Sequence, residues 1–381
     1  MAGKKNAFDL LRILLAISVI ISHGILLGGY KLQDPLSVFS KSQTNLADLG
    51  VMGFFTLSGY LITASFERTK NALLFTIHRL LRILPGFWVC LIITAFVFGP
   101  LIYFVKERSI TDYNFTGDQS SRSYFLNNFF LQIKQWSIKD VLNYAAYKES
   151  LNGSLWSLFP EILCYFFTLA AGIFGLFNKN KILHLILGIS TLIFFTINFN
   201  FSKNYGPTIL ILSPALKLYA SYISGSLTYV FRDQMILDKK GTIFLFLFTL
   251  MLIKFGGYNL LSPFLIAMTL INVFQLFEFR IKYDISYGVY IYSFPVQQLL
   301  FQVFGSKLHV FLFIGLSLVI AITMGLLSYI LVERPCINLR KRIDLFLQPL
   351  FQKKGNSDPD SGSDISSKNN NSKLNILITS K

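Results

Sequence analysis

Long apolar runs recur along almost the whole chain, each about as long as the roughly 20 residues that cross a hydrocarbon core of about 30 Å. A chain built this way is a polytopic helical membrane protein: all-α, a bundle of transmembrane helices. Its 381 residues are 53% hydrophobic and only 14% charged, and no soluble domain of that length is both. Soluble enzyme folds, secreted disulfide scaffolds and nucleic-acid binders are therefore excluded. The last would otherwise be invited by 35 basic against 19 acidic residues, a net charge of +16. Three cysteines, Cys90, Cys164 and Cys336, lie far apart without zinc spacing, so neither a metal site nor a disulfide framework is expected.

The runs place about ten spans at 7–29, 46–66, 81–105, 153–177, 182–199, 208–231, 241–256, 259–277, 285–304 and 309–332. The first carries Arg12 and His23, is too long for a signal peptide and lacks a small-residue cleavage site, so it is read as a retained span. Basic residues cluster in alternate connections. These are Lys4 and Lys5; Arg68, Lys70 and Arg79; Lys179 and Lys181; Arg232, Lys239 and Lys240; Arg280 and Lys282; and Arg334, Arg340, Lys341 and Arg342. The opposite loops carry mostly single lysines, Lys203, Lys254 and Lys307, so the positive-inside rule puts both termini in the cytoplasm, in agreement with an even number of spans. Residues 1–345 form the membrane domain, within which 106–152 is one long, aromatic-rich extracytoplasmic loop expected to act as a lid or acceptor platform. Residues 346–381 are a polar tail too poor in large side chains to order itself. No internal repeat is visible, which argues against a transporter built from inverted halves.

A charge near the bilayer centre costs on the order of 3 kcal/mol, so ionisable residues within spans are functional candidates. Arg12 and His23 stand eleven residues apart on nearly one face of the first helix, about 16 Å along its axis. The ordinary alternative is that Arg12 snorkels and His23 is interfacial. Glu161, in Asn152-Gly-Ser-Leu-Trp-Ser-Leu-Phe-Pro-Glu161, is expected at a depth similar to that of His23, where a carboxylate would orient the imidazole and raise its basicity. Its alternative is a structural pair with Lys217. Arg79 and Arg82, at i and i+3, present two guanidinium forks suited to phosphate, or simply satisfy topology. Ser58 and Gly59 interrupt the second span, where small residues admit a slender ligand or pack helices.

Six pieces in order resemble the acyltransferase 3 family of integral membrane acyltransferases. They are Phe8-Asp9-Leu-Leu-Arg12 with His23; Gly53-Phe-Phe-Thr-Leu-Ser-Gly-Tyr-Leu-Ile62; Arg79-Leu-Leu-Arg82-Ile-Leu-Pro85; Ser154-Leu-Trp-Ser-Leu-Phe-Pro-Glu161; Ser286-Tyr-Gly-Val-Tyr-Ile-Tyr-Ser-Phe-Pro295; and Val332-Glu-Arg-Pro335. The resemblance covers residues 7 to about 340. It implies a multi-pass enzyme of a bacterial plasma membrane that takes an acyl group, usually acetyl, from cytoplasmic acetyl-CoA. The acceptor is a hydroxyl of an outer glycan or glycolipid.

On this reading Arg12, Arg79 and Arg82 hold donor phosphates, and Ser58 and Gly59 line the passage. His23 is general base with Glu161 orienting or relaying, and Trp156 and Tyr287 line the acceptor pocket. Direct transfer is favoured over an acyl-histidine, because one base in a ternary complex suffices. Glu333 with Arg334 closes the end of the last helix or touches the donor. The chain departs from the family at Ser293, where many members carry a histidine before Phe-Pro, so that motif is expected to serve packing. It shows no appended extracytoplasmic domain, so it is expected to complete the transfer with the membrane domain alone or to hand the acyl group on. The competing reading is a transporter with Arg12, His23, Glu161 and Lys217 along its path.

Overall fold

The structure, a computed structural model, describes residues 6–69, 71–205, 213–279, 281–340 and 342–343, the side chains of 200–205, 213 and 214 excepted. Lys4, Lys5, Lys70, Arg280, Lys341, the start of the expected span 208–231 and the tail 346–381 lie outside the described residues. Among the described residues the chain is helical, without strands. The expected apolar runs are helices: α1 (Phe8–Leu27), α2 (Leu46–Thr69), α3 (Ala72–Glu107), α4 (Leu158–Ile173), α5 (Lys181–Tyr205), α6 (Ser213–Val230), α7 (Lys239–Phe255), α8 (Tyr258–Gln275), α9 (Ser286–Phe304) and α10 (Val310–Arg340). Among the described residues seven are long and apolar enough to cross a membrane: α1, α2, α3, α4 with its preceding turn, α5, α8 and α10.

Pro85, Pro263 and Pro295 sit inside uninterrupted helix, but two other prolines, whose ring would strike the carbonyl four residues earlier, follow a distortion. In both the chain takes a π-turn ending two residues before the proline: Thr94–Phe98 before Pro100 in α3, and Tyr329–Glu333 before Pro335 in α10. A π-turn breaks the regular backbone ladder and leaves a carbonyl to be satisfied elsewhere. In α3 the Ala95 carbonyl accepts from Ser121 Oγ at 2.6 Å and from Tyr113 OH at 3.3 Å, which ties the long connecting segment to the bundle.

That segment is a folded cap. Trp88 Nε1 donates to Phe129 O at 3.0 Å and the two rings stack. Gln298 Nε2 donates to the carbonyls of Tyr147 and Ser150, and Asn152 Nδ2 to Ile291 O. The helix before it runs to Glu107, so the cap begins at Arg108, whose φ of +56° ends α3. This end of the bundle is called the loop end. The opposite end, where α1 begins and α10 finishes, is called the basic end.

Close backbone approach fixes the helix pairs. A Cβ on Gly59 of α2 would stand 1.9 Å from the Tyr222 carbonyl oxygen of α6, and one on Gly225 would stand 2.0 Å from that of Thr56. Hydroxyls complete this seam where backbones touch: Thr63 Oγ1 and Ser226 Oγ are 2.8 Å apart, and His184 Nε2 lies 3.1 Å from the same Ser226. Gly288 and Gly325 bring α9 and α10 together in the same way. Helix α1 packs against α2, α9 and α10, which carries Arg12 into the middle of the basic end.

Candidate functional site

A cavity of about 860 Å3, its open mouth included, runs between α1, α2, α3, α4 and α9. Arg12, Arg79 and Arg82 stand on its wall with Ser58, Glu161, Tyr165 and Tyr287, and Ser157 and Tyr290 mark its loop-end limit. Six residues anticipated from sequence, Arg12, Ser58, Arg79, Arg82, Glu161 and Tyr287, thus converge from five helices.

The arginines face the cavity because α3 starts earlier than its apolar run. Asn71 caps it by accepting from Leu74 N at 3.0 Å, and the extra turns put His78 and Arg79 on the same helix as Arg82, which already falls within the expected span 81–105. Arg82 and Arg12 share one carboxylate: Asp284 Oδ2 accepts from Arg82 Nη2 at 2.7 Å and from Arg12 Nη1 at 2.9 Å. Ser286 Oγ donates to the other oxygen at 2.6 Å. Burial pushes the Asp284 carboxyl up, but Arg82, Arg12 and Ser286 outweigh it and hold the group at about 2. Arg82 also reaches Glu333 Oε2 at 3.5 Å, because the π-turn before Pro335 turns that buried side chain inward. Glu333 therefore pairs with Arg82, and not with the exposed Arg334.

Beyond these arginines lies a second chamber of about 580 Å3, its open mouth included, lined by Arg12, His78, Arg79, Leu81, Arg82, Asp284, Ile337 and Arg340. Arg79 donates to Ser65 Oγ at 3.3 Å and lies over the Phe75 ring, and its Nε is buried without a hydrogen-bond partner among the described residues.

Glu161 Oε1 accepts from Tyr165 OH at 2.5 Å and from Ser58 Oγ at 3.2 Å. Both the expected pairing with His23 and the alternative with Lys217 are corrected. Lys217 is bonded to Asp48 across α2 and α6. His23 lies nearer the loop end, edge-on to Phe294 with ring centroids 5.2 Å apart. Phe294 is one helical turn, about 6 Å, beyond the Tyr290 that bounds the cavity, and the same ring packs on Gly153. Glu161 follows Gly153 by eight residues, and the intervening Gly153–Ser157 is a 3₁₀ turn, whose rise of about 2 Å per residue carries the carboxylate further toward the basic end than an α-helix would. His23 Nδ1 is buried without a partner among the described residues.

Three other expectations on placement change. Gly59 is pressed against α6 and does not line the cavity. Trp156 packs on the hydrophobic core, off the cavity wall. Of the four groups of the transport reading, Arg12 and Glu161 stand on the cavity wall, while Lys217 is bonded to Asp48 and His23 packs on Phe294. Ser293 is fully buried and donates to Tyr290 O at 3.0 Å within α9, a packing position. Asp284, Tyr165 and the Ser157–Tyr290 pair, 2.9 Å apart, were not anticipated. The signal for Asp284 is an isolated acid between the basic residues Arg280 and Lys282 and the start of an apolar run.

The family profile described as an acyltransferase domain matches residues 5–329. The chain is similar to an O-acetyl transferase of Shigella phage Sf6, 27% identical over 341 residues that cover 87% of this chain and 96% of that protein. It is also similar to nodulation protein 10 of Rhizobium leguminosarum bv. viciae, 25% identical over 373 residues, 89% of this chain and 95% of that protein. No solved structure matches it.

Proposed function

This chain belongs to the acyltransferase 3 family and is a membrane O-acyltransferase, and we propose that it moves an acetyl group from cytoplasmic acetyl-CoA to a hydroxyl of an extracytoplasmic carbohydrate, with His23 as general base. The observation that carries this reading is the cavity itself. It collects Arg12, Arg79 and Arg82 at the basic end and extends to Ser157 and Tyr290, one turn short of His23. Topology supports the direction: the positive-inside rule assigns the basic end and both termini to the cytoplasm and the cap to the outside. The name of the phage relative supports acetyl as the acyl group. Relatives from a Shigella phage and a Rhizobium support a bacterial plasma membrane.

The donor's phosphates meet Arg12, Arg79 and Arg82, and its arm extends along the cavity. The axial distance from Arg12 to His23, about 16 Å, is comparable to an extended pantetheine arm. The acceptor enters from the loop end. His23 takes the proton of the acceptor hydroxyl as its oxygen attacks the thioester carbonyl. The C–S bond then breaks, and the leaving thiolate recovers that proton from the imidazolium, giving ester and free thiol. The unpartnered Nδ1 supports the role of proton acceptor. Glu161 serves the donor in this scheme, and not the base: Tyr165 and Ser58 hold Oε1, leaving Oε2 to accept an amide N–H of the arm.

The test is His23→Ala in the producing cell, with mass spectrometry of surface glycans. Loss of O-acetyl groups is expected. Unchanged acetylation by correctly inserted variant would overturn the assignment of the base, and the same spectra identify acyl group and acceptor.

A further inference from the structure

Among the described residues four arginines line the two chambers, and three carboxylates are paired with them, Asp9 with Arg12 at 3.7 Å among them. Asp284 takes Arg12 and Arg82, and Glu333 takes the second side of Arg82. Among the described residues Arg79 meets no carboxylate, only the neutral Ser65 hydroxyl and the Phe75 ring, with its Nε buried and unpartnered. Arg340, half-buried at the end of α10, shares the wall of the outer chamber with Arg79, and no described carboxylate is paired with it. Asp284 on the same wall is already taken by Arg12 and Arg82, so among the described residues Arg79 and Arg340 face one open space without a carboxylate of their own, and that space attracts an anion.

The chambers meet at Arg12, Arg79 and Arg82, which line both. A donor whose arm occupies the inner chamber leaves its diphosphate at this neck, and any further phosphate projects into the outer chamber. We propose that Arg340, together with Arg79, seats that outer group: the phosphomonoester on the ribose of the donor nucleotide. Arg340 is thereby the residue that selects acetyl-CoA over donors lacking this phosphate. The assignment rests on the acyl-CoA reading above and gives Arg340 a part in specificity and none in bond making. A guanidinium suits the task because its parallel N–H groups match two phosphate oxygens. An anionic lipid headgroup offers the same phosphate chemistry, so the test separates the two sources.

Purified full-length protein in zwitterionic lipid is assayed for KM with acetyl-CoA and with 3′-dephospho-acetyl-CoA. A KM roughly ten- to a hundredfold higher for the dephospho donor is expected, the size of one lost charge-assisted hydrogen bond, with kcat little changed. Arg340→Gln should raise the KM for acetyl-CoA toward the dephospho value and leave the dephospho KM unaltered, while Arg340→Lys restores part of the difference. Equal KM values for the two donors in the wild type overturn the assignment and need no variant. So does an Arg340→Gln effect that is the same for both donors and present only with phosphatidylglycerol, which would make a lipid the ligand. Turnover of neither donor by folded wild type overturns the acyl-CoA reading instead.

Discussion

Arg82 and Asp284 form the central ionic contact of the basic end, 2.7 Å between Nη2 and Oδ2, and the same carboxylate oxygen holds Arg12 at 2.9 Å. One acid thus fixes the relative positions of α1, α3 and the start of α9. Asp284→Asn leaves two guanidiniums without their shared counter-ion. The expected result is a loss of stability on the order of 3 kcal/mol and a raised KM for the donor. A melting temperature in detergent equal to wild type would show that the contact contributes nothing.

The same group sets a pH dependence. Its folded value, about 2, lies below the usual carboxylate value of about 4, so its contribution to stability is fully present above pH 4 and is lost as pH falls through 2. The difference in melting temperature between wild type and Asp284→Asn should be constant from pH 8 to 5 and shrink below pH 4. A difference that already shrinks between pH 7 and 5 contradicts the strong pairing.

His23→Gln keeps a polar side chain at the Phe294 edge and removes the base. A fall in kcat of roughly 10²- to 10⁴-fold with little change in KM for acetyl-CoA is expected, measured as acceptor-dependent release of free thiol. A KM effect with kcat preserved would move His23 from chemistry to binding.

Tyr165→Phe removes one of the two donors to Glu161 and leaves the cavity shape nearly intact. If Glu161 serves the donor arm, KM for acetyl-CoA should rise about three- to tenfold, the worth of a modest hydrogen bond, and the pH profile of kcat should not move. A shifted profile would restore the relay between Glu161 and His23.

Gly59→Ala places a methyl group where the Tyr222 carbonyl stands. The expected outcome is a poorly extracted or low-melting protein whose remaining folded fraction keeps the wild-type KM. Ser58→Ala, one residue away on the cavity wall, should do the reverse: fold normally and alter KM.

Much of this could be read from the chain because hydropathy dictates helices in lipid regardless of neighbours, and the expected runs recur as helices. Convergence of Arg12, Arg79, Arg82, Glu161, Ser58 and Tyr287 on one cavity was also legible, since polar groups in apolar helices have to find one another. Partner identity was not. Spacing along α1 gives the separation of Arg12 from His23, but says nothing of which helix faces either, so Asp284 was missed and Glu161 was assigned to the wrong neighbour. The depth of Glu161 depends on a 3₁₀ turn that composition does not announce. Gly59 illustrates the ambiguity of small residues: the same pattern serves a ligand passage or a backbone contact, and only the placement of Tyr222 decides.

The paired π-turns carry a consequence for how the molecule can vary. Each inserts one residue into a helix, and one residue is about 100° of rotation, so everything after the turn is re-phased relative to everything before it. Pro335 in this way sets the azimuth of Ile337 and Arg340 at the vestibule, and Pro100 sets that of the turns leading into the cap. The two mouths of the enzyme are therefore aimed by two prolines that touch no substrate, each able to re-aim its own mouth while the Asp284 contact at the centre stays where it is.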